Sequence, residues 1–142
     1  MDIRPAHAND LPAIENLLGH AALPFEDCKN HIDEFFVVCQ EQTPIAVICL
    51  ERCGEAALLR SLVVDQPFFN HRIGTQLVRH VIQVATAESR SSIYLLCEQA
   101  ESYFINFGFQ TIARHLAPLV IQQTAQFSTL CPESATLMRL EL

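Results

Sequence analysis

Apolar positions along the chain follow two different periods. Between residues 35 and 65 they run in short blocks: Phe35-Phe36-Val37-Val38-Cys39, Ile45-Ala46-Val47-Ile48-Cys49-Leu50, and the stretch from Ala57 to Asp65. Gln42-Thr43-Pro44 and Cys53-Gly54-Glu55 separate the blocks with turn-forming residues, so they predict three strands in an antiparallel meander. Ile73, Leu77, Val78, Val81, Ile82 and Ala85 then recur at helical spacing, with Gln76, Arg79, His80 and Gln83 opposite. That spacing predicts an amphipathic helix of about four turns. Ile93-Tyr94-Leu95-Leu96-Cys97 is a continuous apolar run, as suits a strand covered on both faces. Strand, helix and strand in this order predict a right-handed parallel crossover. The block ending at Asp65 therefore belongs both to the meander and to a parallel pair.

The flanks complete the outline. Ile3 to Ala6 reads as a short extended start. Asn9 or Asp10 caps a helix carrying Ile14, Leu17, Leu18 and Ala21, with Pro12 in its first turn and Gly19 marking its end. Pro24 to Ile32 is expected to form a second short helix. Ala100 to Phe107 reads as a short helix closed by a left-handed Gly108. Phe109 to Ala113 reads as a strand, Pro118 to Phe127 as a helix broken by Pro132, and the alternating Thr136 to Leu142 as the last strand. The fold class is α/β (α+β): one domain, residues 1–142, with a mixed, mostly antiparallel sheet of six to seven strands and flanking helices.

Composition narrows the function. The net charge of −7 weighs against nucleic acid as a partner. No apolar run reaches the ~18 residues of a membrane span, and the first residues lack the apolar core of a signal peptide. The expected location is cytoplasmic. The six cysteines read as buried small hydrophobes in a reducing compartment. Cys49 and Cys53 make a poor zinc pair, since no second pair completes four ligands. No metal is expected, although a soft metalloid site built from thiols stays open as an alternative.

The candidate chemistry lies in FFNHRIGTQL, residues 68–77, where a strand passes through a tight loop into the amphipathic helix. A helix N-terminus presents unpaired N–H groups and about half a positive charge, and a diphosphate docks there readily. Such cradles are usually glycine-rich, and this one has Gly74 alone. An anion cradle and an ordinary turn both remain open on the residues themselves.

Several stretches together resemble the GNAT superfamily of acetyl-CoA-dependent N-acyltransferases. They are Leu62-Val63-Val64-Asp65, the loop ending Arg72-Ile73-Gly74, the helix and strand that follow, and the helix end Asn106-Phe107-Gly108-Phe109. Within it, Leu59 to Asp65, Tyr94-Leu95-Leu96 and the tail from Thr124 to Ala135 are most similar to a subgroup found in arsenic-resistance operons. The resemblance implies acetyl-CoA (coenzyme A) as co-substrate and direct attack of a small-molecule amine on the thioester. It implies a GNAT-like sheet, and cofactor binding by Leu62, Val63 and Val64 of the strand and by Asn70, His71, Arg72, Ile73, Gly74 and Thr75 of the cradle. Two positions depart from the family pattern: Phe69 replaces a polar or basic residue, and Arg72 replaces a glycine. Asn70 tolerates left-handed geometry and is expected to absorb the turn.

The family's general acid is a tyrosine four residues before the glycine of the helix end, and here that position is Phe104. Tyr103 is one residue earlier, roughly 100° around a helix. Three alternatives follow: Tyr103 reaches the sulfur through a rotated helix, the thiolate leaves without a protein acid, or the chain binds acetyl-CoA without transfer. Glu98 is the candidate base, beside Glu51 and Glu55. Arg60, in an apolar strand, requires a partner, either a substrate carboxylate or a structural ion pair. The expected partner is a small-molecule amine, with neither nucleic acid nor membrane, and a homodimer is compatible with the chain.

Overall fold

The computed structural model describes residues 2–142, apart from the side chains of Asn70 and His71. Seven strands form one mixed sheet: β1 (Ile3–Pro5), β2 (Phe35–Gln40), β3 (Thr43–Cys53), β4 (Ala56–Val64), β5 (Ser92–Cys97), β6 (Gln110–Ile112) and β7 (Thr136–Glu141). Their order is β1-β2-β3-β4-β5-β7-β6. All pairings are antiparallel except β4 with β5, which α2 (Ile73–Ala87) connects as the parallel crossover.

Alternation along the strands divides the core. Ala46, Ile48 and Leu50 of β3 face α2, where they meet Leu77, Val78 and Val81. Val47 and Cys49 face the other way, against Ile14, Leu17 and Leu18 of α1 (Leu11–His20). On this second face a further apolar cluster joins Leu58 and Tyr94 to Ile121 of α4 (Leu119–Gln122). Between the two clusters lies a buried polar group, Arg60 and Glu51.

The structure corrects several boundaries. Residues 24–32 form no helix; the 3-10 turns Cys28–Asn30 and Ile32–Glu34 take their place. The helix expected from Pro118 to Phe127 is split into α4 and a π-helical turn, Gln126–Leu130. The first hairpin turns at Glu41 and Gln42, both at positive φ (52° and 70°), while Thr43 and Pro44 already belong to β3. Two positive φ values match the twist of the flanking strands. Asp10 precedes α1 without capping it: its carboxylate accepts from Arg4 at 2.8 and 3.1 Å and from the His7 amide at 2.7 Å. Gly108 has the expected positive φ, 98°, after α3 (Glu101–Ile105). Among the described residues no helix is long and apolar enough to cross a membrane.

Candidate active site

The site starts from an irregularity in β4. Val47 pairs with Val63 and Cys49 with Arg60, so Ile48 stands opposite two residues, Ser61 and Leu62. Ser61 takes φ 61°, the conformation of an extra residue in a bulge. The extra residue shifts the alternation by one. Ala57 and Leu59 face α2 before it, Leu62 and Val64 after it, and Val63 turns to the α1 side.

Beyond the bulge, β4 and β5 separate. Their pairing covers only Ala56–Leu58 with Ser92–Tyr94, whereas β5 stays paired with β7 to Cys97. Among the described residues, the edge of β4 from Leu59 to Val64 therefore has no strand partner on the β5 side. A cleft of about 770 Å³ opens there. Leu59, Leu62, Leu95 and Phe104 line it, together with Leu23, Leu130 and Cys131.

The segment expected to form the cradle follows β4. Asp65 starts a 3-10 turn, Gln66–His71, by accepting from the Gln66 amide at 3.0 Å. Arg72 then adopts φ 57°, ψ 22°. The left-handed position is thus Arg72 itself, where the sequence pattern had assigned the turn to Asn70. An L-residue in this conformation carries roughly 1 kcal/mol of strain. No side chain caps α2 at Arg72, and the Gln76 amide bonds the Arg72 carbonyl at 3.1 Å. The amides of Ile73, Gly74 and Thr75 precede that bond, as the unpaired first donors of a helix do. A Cβ on Gly74 would meet Tyr103 Oη at 3.4 Å and Val64 Cγ2 at 3.6 Å, so the backbone there is closely approached and carries no bulk of its own. An open, uncapped N-terminus on a 15-residue helix suits a diphosphate.

The expected site residues other than Asn70 and His71 can be placed with their side chains. Leu62, Val63 and Val64 lie on the separated part of β4; Arg72 precedes α2, and Ile73, Gly74 and Thr75 are its first three residues. The side chains of Asn70 and His71 lie outside the described residues. Tyr103 and Glu98 line the same cleft. Tyr103 Oη is 3.3 Å from Thr75 Oγ1, at the cradle end. Glu98 is exposed just past β5 and accepts from Ser134 Oγ at 3.4 Å. Phe104 is buried and presents its ring to the cleft.

Sequence reasoning missed the surroundings of Arg60. Its Nη1 donates to Asp27 Oδ2 at 2.6 Å and Glu51 Oε1 at 3.1 Å, and its Nη2 to Asp27 Oδ1 at 2.5 Å. With its amide oxygen turned to the guanidinium, Gln126 accepts from Nε at 3.2 Å and Nη2 at 3.1 Å. Ser61 Oγ also accepts from Nε, at 3.2 Å. The arginine's place in an apolar strand signalled that partners exist, but Asp27 and Gln126 are 33 and 66 positions away in the chain. Burial opposes ionisation of Asp27, yet the adjacent guanidinium outweighs it and holds the carboxyl below its ordinary range. Burial raises the thiols of Cys97 and Cys131, both at the cleft.

Comparison with known proteins agrees with this geometry. Rv2747 from Mycobacterium tuberculosis, solved in complex with CoA, superposes at a TM-score of 0.84 with 20% identity, over 100% of this chain and 99% of that one. The ribosomal-protein-S18-alanine N-acetyltransferase of Escherichia coli gives 0.77 at 20% identity, over 99% and 92%. N-acetylglutamate synthase of Neisseria gonorrhoeae, complexed with coenzyme A and N-acetyl-glutamate, gives 0.85 at 21%; the match covers 99% of this chain but only 35% of the synthase. No curated protein sequence matches significantly. Residues 3–109 match the profile of the Acetyltransferase (GNAT) family, and the chain belongs to that family.

Proposed function

We propose that residues 1–142 act as one domain that transfers an acetyl group from acetyl-CoA to the amine of a small molecule. The observation that carries this reading is the cleft between β4 and β5, which leads from an unpaired strand edge to the uncapped start of α2. The amides of Ile73, Gly74 and Thr75, with the Arg72 guanidinium nearby, hold the diphosphate. Backbone groups of Leu62, Val63 and Val64 bind the pantetheine arm and polarise the carbonyl oxygen. Asn70 and His71 complete the loop.

When bound, acetyl-CoA supplies an acetyl group already activated as a thioester. Glu98 takes the proton of the incoming ammonium, so that the neutral nitrogen bonds to the carbonyl carbon while the carbon–sulfur bond breaks. Tyr103 reaches the departing thiolate through a rotation of α3 that carries its hydroxyl away from Thr75, and the proton it gives the sulfur is replaced by the second proton that the nitrogen loses on becoming an amide. The neighbours named above do not select the acceptor, since one is named for a ribosomal protein and another for an amino acid. Kinship with the arsenic-operon subgroup rests on Leu59 to Asp65, Tyr94-Leu95-Leu96 and the tail from Thr124 to Ala135, and assigns no arsenical. Phe104 at the tyrosine position favours one rival, a module that binds acetyl-CoA without transfer.

The test is direct. Acetyl-CoA should raise the melting temperature, because a ligand of the native state stabilises it. Amines should then release free CoA thiol at a steady rate. A melting shift without thiol release leaves the binding module; no shift at millimolar acetyl-CoA removes both readings.

A further inference from the structure

The cleft carries more information about its acceptor than the family does. Among the described residues, Arg60 is the only cationic side chain that lines it, beside two carboxylates, Glu26 and Glu98. In an acceptor site, a lone arginine is the natural partner for a substrate carboxylate, since its planar fork matches that group. Here the fork is already occupied. A guanidinium has five N–H donors. Asp27 takes one from each terminal nitrogen, Glu51 the second from Nη1, Gln126 the second from Nη2, and the Nε hydrogen is shared between Ser61 and Gln126. The side chain is 2% exposed. Two carboxylates more than neutralise its charge, and the His31 ring lies within 3.6 Å of Asp27 and 3.8 Å of Glu51. No donor on Arg60 remains for a ligand.

The other charged groups point the same way. Glu26 accepts from the Phe25 amide at 3.1 Å and Glu98 from Ser134 Oγ at 3.4 Å; neither forms an ion pair within the described residues. Much of the remaining wall is apolar: Leu23, Leu59, Leu62, Leu96, Phe104 and Leu130. A carboxylate entering this cleft would shed water without gaining a cationic partner and would face two like charges. An ammonium on a hydrocarbon body gains on both counts.

We propose that the acceptor is a carboxylate-free primary amine on a hydrocarbon body, and that amino acids are excluded because Arg60 is withheld by Asp27, Glu51 and Gln126. This inference rests on the acetyltransferase reading above.

The experiment compares phenethylamine with L-phenylalanine, which share one body and differ in the carboxylate. Saturating acetyl-CoA is used and CoA thiol release is followed, while melting shifts with CoA present report acceptor binding independently of turnover. Phenethylamine is expected to exceed phenylalanine by at least about 100-fold in kcat/KM and to bind where phenylalanine does not. Asp27→Asn releases donors of Arg60 and should narrow that preference at least roughly fivefold; Glu51→Gln serves the same purpose if Asp27→Asn does not fold by circular dichroism. Acetyl-CoA binding combined with equal or better use of phenylalanine overturns the inference alone. So does the absence of both turnover and binding for phenethylamine. If acetyl-CoA itself leaves the melting temperature unmoved, the acetyltransferase reading falls and takes the inference with it.

Discussion

Replacing Asp27 with asparagine probes the buried cluster around Arg60. The exchange keeps the shape of the side chain and removes its charge. Arg60 loses a two-pronged contact of 2.5 and 2.6 Å and keeps Glu51 at 3.1 Å and Gln126. The amide of an asparagine turns one N–H against the guanidinium, donor to donor. Removing one partner of a buried pair typically costs about 3–5 kcal/mol. The remaining carboxylate of Glu51 offsets part of this, so a loss of about 2–3 kcal/mol is expected. For 142 residues the unfolding entropy is about 0.3 kcal/mol/K, which converts the loss to a melting temperature lower by roughly 7–10 °C. Urea denaturation followed by circular dichroism is the assay, with an unchanged slope and a lowered midpoint. Glu51→Gln, which leaves the two-pronged contact intact, should cost less. A loss under about 0.5 kcal/mol for Asp27→Asn would refute the reasoning, because it would mean that Arg60 finds equal partners without Asp27.

Other outcomes follow from the same geometry. Arg72→Gly removes a left-handed L-residue and should raise stability by about 1 kcal/mol in urea; a decrease would show that the Arg72 side chain makes compensating contacts. Acid should destabilise the protein through Asp10 and Asp27, both held below their ordinary range by arginines. A depressed carboxyl stabilises above its unfolded pKa, near 4, and that contribution is lost as pH falls through the folded value, so stability should decline below about pH 4. Asp27→Asn should make that decline shallower. Tyr103→Phe should lower kcat about 10- to 100-fold with little change in melting temperature, whereas an unchanged kcat would show that the thiolate leaves unaided. Burial pushes the thiols of Cys28 and Cys53 up to about 11 and about 12, so alkylation at pH 8 should be far slower in the native protein than in urea.

The regular parts of the fold were legible because their signals are local. The apolar blocks of β2, β3 and β5, the helical spacing of α2 and the glycine after α3 each lie within a few residues of what they specify. Short polar segments were less legible. Residues 24–32 and 118–127 carry weak periodicity, and tertiary contacts divide them into turns. The bulge at Ser61 left no mark in the pattern, since serine has no preference for positive φ and the flanking leucines fit either face. Without it, strict alternation would have assigned Leu62 and Val64 to the wrong side of the sheet.

By itself, then, the sequence determined the order of elements, the crossover that joins β4 to β5, and the position of the tight turn that leads from β4 into α2. Those features depend on neighbours along the chain: hydrophobic period, turn residues and one glycine. Only the tertiary structure decided where β4 and β5 separate, that Arg72 bears the left-handed turn, and that Arg60 is spoken for by residues 33 and 66 positions away. Burial forces a charged group to find partners, but which partners reach it depends on how distant segments pack, and no local pattern records that.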